Sequence, residues 1–404
     1  MSTSKKSVSF SEKILMLILA LYPVLGYYGT DVGIDLGQLL LFVAILLVTL
    51  FSGFKFQKLP RGFILYWGYA AIIYILLAEQ FKISLLIPGG VTLFVWAILL
   101  SLIAPRFDLK TFKNGLRVVA CLSIVVFVLQ ELMFARFGYR FCAFLPISDK
   151  FYGQLTYSDL VLHQMYARRS ASLFLEPAYF GDFLLLVLSL ELFSKDNQSV
   201  FSKIFSSIII ITILWSASGS GILGILVIAI LWVLKSYNGK SKTVYFITLL
   251  LLIPVVFFGL GFYSQTDVGS AVMERQGEFT DEDSSGFVRI VRGYQIIAAI
   301  PFINKIIGAP FSVADIAART CGISLTESSW SFNGFQYVMV FYGMIGLVLL
   351  IVFYARLYNK HNTTSQALIW LLLYLSLVEY IYLAPVMFII TLYLISKENS
   401  KIRI

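Results

Sequence analysis

The chain is poor in charge. Only 13% of its 404 residues are Asp, Glu, Lys or Arg, against roughly 25% in soluble domains. It has two histidines and three cysteines, with no metal-ligand spacing among them. No Walker A loop and no H-E-x-x-H pair is present, which removes P-loop nucleotide hydrolysis and zinc-protease chemistry of those kinds. Charges inside the apolar stretches are also few: Glu131, Asp182, Glu191 and Glu379. A proton- or sodium-coupled carrier would place more ionisable side chains there. No metal and no cofactor is expected.

What the chain has in excess is apolar length. Apolar residues make up 59% of it, and the runs Leu36–Gly53 and Ile83–Ala104 carry no charge. Runs of about 18 or more apolar residues read as membrane-spanning helices. The opening "MSTSKKSVSFSEKILMLILALYPVLGYYG" resembles a signal peptide but lacks a small-x-small cleavage site. Further spans follow it, so it reads as a retained first helix. The expected fold is an all-α polytopic membrane protein, one integral membrane domain over 1–404. Cys142 and Cys321 fall in outer loops where a disulfide is open to them. Packing is the simpler use of all three cysteines.

With the N-terminus on the cytoplasmic side, twelve spans fit, at about 14–28, 36–52, 63–78, 83–104, 118–135, 172–193, 204–216, 219–234, 244–262, 335–354, 366–379 and 385–396. The stretches 204–234 and 366–396 could each be one long tilted helix, which would lower the count to ten. "SASGSG" at Ser216–Gly221 supplies turn residues at the midpoint of the first, and two short spans in each stretch keep the lysines on one side. Inside segments then hold 20 of the 31 Lys and Arg, and the short outer loops hold only Lys82. This is the positive-inside pattern, with both termini cytoplasmic. It also accounts for the formal net charge of +9, so no nucleic-acid partner is expected.

The other ten basic residues lie in two long outer loops, about 136–171 and 263–334. Eight of them are arginine: Arg136, Arg140, Arg168, Arg169, Arg275, Arg289, Arg292 and Arg319. The inside segments hold five arginines against 15 lysines. A planar guanidinium grips phosphate or carboxylate with two parallel hydrogen bonds, and an ammonium does not. The bias points to an outward-facing site for an anion, plausibly a phosphate. The plainer alternative is pairing with loop carboxylates such as Glu274, Glu278, Asp281, Glu282 and Asp283.

Three stretches carry the chemistry. In "ARRSASLFLEPAYFG", Arg168 and Arg169 precede a span whose outer end is Glu176-Pro177. Helix starts attract anions, and Glu176 could pair with an arginine or take a proton as a general base. In "DEDSSGFVRIVRGYQIIAAIPFINKIIGAP", Ser284 or Ser285 can cap a helix that runs to about Ile300, where Pro301 stops it. Arg289 and Arg292, three apart, would share its face. Asp281–Asp283 reads as a solvated acidic run. In "TESSWSFNGFQYVMVFYGMIGLVLL", Glu327 and Asn333 stand at the outer mouth of a span. His163, five residues before Arg168, could serve the same site, though such a histidine is more often only a surface residue. His361 reads as cytoplasmic and structural.

Together these blocks resemble the O-antigen polymerase (Wzy) family of bacterial polysaccharide assembly. "RRSASLFLEPAYFG" is similar to the family's Arg–Ser–hydrophobic–Glu-Pro-Ser segment, with Ala178 where Ser is common. "LWSASGSGILGIL" resembles the Ser-Arg-Ser-Gly hairpin shared with O-antigen ligases, with Ala217 in place of the arginine. "GFVRIVRGYQIIAAIPFINKIIGAPF" resembles the large-loop helix of the family. "SFNGFQYVMVFYGMIG" resembles a ligase block in which Phe332 stands where ligases carry histidine. The resemblance covers roughly 165–350. It implies a GT-C-like membrane architecture in the bacterial inner membrane, with periplasmic loops that carry short helices. It also implies the substrate, an oligosaccharide repeat unit on undecaprenyl diphosphate, and a metal-independent, inverting glycosyl transfer facing the periplasm. Arg168, Arg169, Arg289 and Arg292 would then hold the diphosphate, Arg289 first among them, with Glu176, Glu327 or His163 as the base. A chain-length regulator and a flippase are the partners implied. An O-antigen ligase, or a lipid-linked-oligosaccharide flippase or exporter, is the alternative.

Overall fold

A computed structural model describes residues 9–29, 34–76, 83–148, 156–167, 169–194, 199–236, 265, 287–322, 325 and 332–396. Among them are fifteen α-helices and no extended strand: α1 Phe10–Leu25, α2 Leu36–Ser52, α3 Arg61–Leu76, α4 Ile83–Ile103, α5 Leu109–Phe137, α6 Tyr157–Tyr166, α7 Pro177–Phe193, α8 Val200–Trp215, α9 Gly219–Ser236, α10 Gly293–Ala299, α11 Phe302–Ile307, α12 Phe311–Thr320, α13 Gly334–Leu357, α14 Thr363–Val378 and α15 Pro385–Ile395. A π-helical turn, Val288–Arg292, leads into α10. The stretch 244–262, expected to span, lies outside the described residues. Two helices, α5 and α13, are long and apolar enough to cross a membrane, and most of the others are shorter apolar helices.

The helix ends follow sequence chemistry. Ser9 and Glu12 close a reciprocal capping box on α1, which satisfies two otherwise orphaned N–H groups. The Asp108 carboxylate accepts from the Thr111 N–H at 2.8 Å. That cap starts α5 nine residues before the expected span at 118, so Lys110, Lys113 and Arg117 ride on the helix rather than in a loop. Both doubtful stretches are broken. Ala217, at φ 51°, separates α8 from α9, and Leu383, at φ 61°, precedes α15. All three cysteines are free thiols.

The chain forms two compact units. The first comprises 1–166, 348–361 and 383–404. Its core is aromatic: Tyr22 and Trp96 both meet the Phe388 ring edge-on, at 5.5 and 5.0 Å. Close approach of α1 and α2 is possible because Gly37 lies flat under the Tyr22 ring. Arg106, buried, donates to the carbonyls of Gly53, Lys55 and Leu102 and so ties a loop to the end of α4. On the outside of α5, Val118, Leu122, Val125, Leu129 and Leu132 are exposed. Their spacing of three and four makes a continuous apolar stripe, which suits lipid rather than water.

The second unit comprises 167–347 and 362–382. Helix α7 is its centre, with every residue from Phe180 to Glu191 buried. It packs on α8, α9 and α14. Gly181 faces Ser218 and Gly221 of α9 closely enough that a Cβ would lie 2.9 Å from the Ser218 Oγ; small residues permit such helix contact. The last carbonyls of α7 are satisfied from outside it. Thr363 and Thr364 donate to Phe193 O at 3.0 and 2.8 Å, and Lys235 donates to Leu192 O at 3.0 Å. Glu191 accepts from the Ser202 hydroxyl.

Candidate active site

In the second unit the structure gathers the sequence blocks that carry arginine. Residues 169–176 form an irregular, largely buried loop. Phe174 anchors it on α7, stacked on Phe180 and Phe183 at 5.6 and 5.2 Å. Arg169 donates from Nη1 to Ala217 O at 2.7 Å. This joins the loop to the α8–α9 turn, whose left-handed residue is Ala217 itself. Glu176 is the N-cap of α7 and Pro177 its first residue, but the Glu176 carboxylate makes no capping bond. Its backbone is extended, and the side chain is half-buried at the helix mouth.

Next to this corner stands a buried acidic group on α7. Asp182 is 2% exposed. The Tyr374 hydroxyl, from α14, donates to Ser220 O on α9 at 2.5 Å and lies within electrostatic reach of both Asp182 and Glu379. Glu379, 3% exposed, ends α14. Its carbonyl accepts from Gly334 N at 2.8 Å, at the start of α13.

The start of α13 is capped by a reciprocal pair. Asn333 Oδ1 accepts from Gln336 N at 2.8 Å, and Gln336 Oε1 accepts from Asn333 N at 3.2 Å. Asn333 also donates to Leu377 O at 2.8 Å. Gln336 is wholly buried, and its Nε2 donates to Ile290 O at 2.8 Å. Ile290 is the middle of the π turn that carries Arg289 and Arg292. Gly293 fits directly against the Gln336 side chain, where no Cβ would fit. The arginine-bearing turn is therefore clamped to α13 through one amide. Because that turn is π rather than α, Arg289 and Arg292 are separated more widely around the axis than three residues of α-helix would separate them. The Arg292 guanidinium lies 5.9 Å over the Phe287 ring.

The expected site residues divide as follows. Arg169, Glu176 and Arg292 belong to the second unit, and so does the backbone of Arg289. Arg168, the Arg289 side chain and Glu327 lie outside the described residues, as do Asp281–Asp283. His163 is exposed on α6, in the first unit. Two arginines of the expected outer loops follow the plainer reading. Arg140, 3% exposed, pairs with Glu131 at 3.1 Å and lies over the Phe134 ring at 3.8 Å. Arg319 pairs with Asp315, four residues earlier, at 2.9 Å. Sequence reasoning overlooked the role of Gln336. The Asn333-x-x-Gln336 spacing is a capping signal, but nothing in the sequence joins Gln336 to Ile290. Among the described residues no three His, Cys, Asp or Glu side chains gather as metal ligands would.

No curated protein matches this sequence. A family model described as WcaD colanic acid polymerase matches residues 13–397. That span takes in both units and reaches well beyond the stretch 165–350 whose motifs resemble O-antigen polymerases. Among the described residues, the apolar helices long enough to cross a membrane and the arginine-bearing turn clamped to α13 suit a membrane enzyme of polysaccharide assembly. The chain belongs to the WcaD colanic acid polymerase family.

Proposed function

We propose that the protein polymerises undecaprenyl-diphosphate-linked oligosaccharide repeat units at the outer face of the bacterial inner membrane. The acceptor hydroxyl oxygen attacks the anomeric carbon of the donor chain. The bond from that carbon to the diphosphate oxygen breaks, and the lipid diphosphate leaves with the electron pair. Attack from the opposite face inverts the anomeric centre. The hydroxyl proton passes to a general base, for which Glu176, Glu327 and His163 are the candidates. Arg168, Arg169, Arg289 and Arg292 hold the diphosphate and stabilise the charge that grows on it. Fixed guanidinium donors do this without reorganising at the moment of reaction. They supply the positive charge that a divalent metal provides in other phosphate chemistry.

One observation carries this reading: Gln336 and Arg169 tie two arginine-bearing segments, distant in sequence, to the start of α13 and to the α8–α9 turn of one compact unit. The test is a product ladder from purified protein supplied with synthetic undecaprenyl-diphosphate repeat units. The wild type yields a ladder, and folded Arg289→Lys and Arg292→Lys lose it, because lysine keeps the charge and loses the fork. Ladders in both variants would remove these arginines from the site. No ladder from the wild type, with movement of the same lipid across vesicles, would replace polymerisation by transport.

A further inference from the structure

Helix α13 is not continuous. Gly343 has φ 64° and ψ −171°, outside any helix. Gly308, at φ 104°, meets it backbone to backbone. A Cβ on Gly308 would strike the Phe341 carbonyl, and one on Gly343 would strike the Ile306 carbonyl. The contact is sealed by Ala309 N–H, which donates to Val340 O at 2.8 Å. A second pin lies nearer the start of α13, where Gln336 holds Ile290 and Gly293. Gly343 is nine residues beyond Gly334, about 13 Å along the helix. The hydrocarbon slab is about 30 Å thick. The chain between the two pins thus ends nine residues into α13, at the break between its two pieces, not at its mouth.

Irregular backbone is tolerated at that depth only if its polar groups are satisfied within the protein. Here they are. Gly308 N–H donates to Asn304 O at 2.8 Å, and Asn304 Nδ2 donates to Gly308 O at 3.2 Å. Lys305 reaches back and donates to Ala298 O at 2.8 Å, at the end of α10. Helix α11 itself lies on the surface. None of its residues is buried, with Phe302 77% and Ile303 59% exposed.

We infer that residues 300–309 form a re-entrant segment embedded in the outer leaflet, with Phe302 and Ile303 against the hydrocarbon chains of the bilayer. The depth of the Gly308–Gly343 pin selects this occupant. A segment pinned that far along a span, with Phe302 and Ile303 exposed, meets lipid. The inference rests on α13 crossing the membrane from the outer face, as the proposed function also requires. It places apolar surface one short helix, α10, beyond the turn that carries Arg289 and Arg292.

The test uses the full chain in phosphatidylethanolamine–phosphatidylglycerol vesicles. Nitroxide labels are placed singly at Phe302→Cys, Ile303→Cys, Met344→Cys and Asp159→Cys, with the native cysteines changed to serine. Relaxation by dissolved oxygen, which concentrates in hydrocarbon, is compared with relaxation by a water-soluble nickel chelate. The expected oxygen-to-nickel ratio at Phe302 and Ile303 exceeds that at Asp159 severalfold and approaches that at Met344. A high ratio at Met344 with a water-like ratio at both α11 sites would overturn the inference and leave the span. A water-like ratio at Met344 would overturn the span, and the inference with it. Low accessibility to both agents at α11 would mean protein cover, from a partner or a second copy, and would overturn the assigned occupant.

Discussion

Replacing Gln336 by alanine removes both halves of one clamp. The Ile290 carbonyl loses its donor at 2.8 Å and the Asn333 N–H its acceptor at 3.2 Å, at a side chain that is fully buried. Leaving a buried polar group unmet costs about 1–3 kcal/mol, so Gln336→Ala costs about 2–6 kcal/mol in all. Gly293→Ala attacks the same contact from the other side. Its new Cβ would lie 2.9 Å from Gln336 Cγ and nearer still to the amide, and overpacking of this kind costs about 1–3 kcal/mol. The two losses do not add. Once residue 336 is alanine, the side chain that collides with the new methyl is gone. The double variant is therefore less destabilised than the sum of the singles by about 1–3 kcal/mol. Equilibrium unfolding in mixed micelles titrated with dodecyl sulfate measures each corner of the cycle, and the product ladder reports polymerisation for the same samples. Gln336→Ala shortens the ladder because the arginine-bearing turn loses its hold on α13. Additivity within about 0.5 kcal/mol, or an undiminished ladder, would refute the clamp.

Three further outcomes follow from the geometry. Arg140→Ala strands a carboxylate and removes a buried cation from the Phe134 ring; it costs about 3–5 kcal/mol, read in the same unfolding assay. Arg169→Lys keeps a donor for Ala217 O, so it folds with little loss of stability, and its ladder falls only because the diphosphate loses a guanidinium; an equal loss in both readouts would make Arg169 purely structural. Asp35, the N-cap of α2, titrates near 7, pushed up from the usual carboxylate range by burial and held back in part by the Gln38 N–H. The folded chain then holds a proton that the unfolded chain has released. Stability from this group is full below about pH 4 and is lost as pH rises to about 7. Discounted for the partial exposure of the residue, the loss is about 1–3 kcal/mol. Asp35→Asn keeps an acceptor for the Gln38 N–H and flattens that dependence in stability measured from pH 4 to 8.

How far the sequence reaches is clear from individual elements. Long apolar runs read as helices, and α2, α4, α8, α9, α14 and α15 form within a few residues of the expected bounds. "SASGSG" marked the break in 204–234, but the left-handed residue there is Ala217 and not one of the two glycines. The Asp108 cap was present in the sequence, yet α5 was expected to start later, because the charges at Lys110, Lys113 and Arg117 hid the helix behind a loop-like composition.

Composition alone could not separate one arginine from another. An excess of guanidinium on one side is a sum, and only contacts divide it into Arg140 and Arg319, held by carboxylates, and Arg169, which braces the Ala217 turn. The clamp from Gln336 to Ile290 spans 46 residues, and the meeting of Gly308 with Gly343 spans nearly as many. Such pairings leave no local signal, since each partner's neighbours look like ordinary apolar helix. The sequence by itself determined the helices, their apolar character and the polymerase-like motifs, because those depend on composition, periodicity and short spacing. Tertiary structure decided which polar groups meet, because burial makes a hydrogen bond between distant residues cheaper than leaving either partner alone.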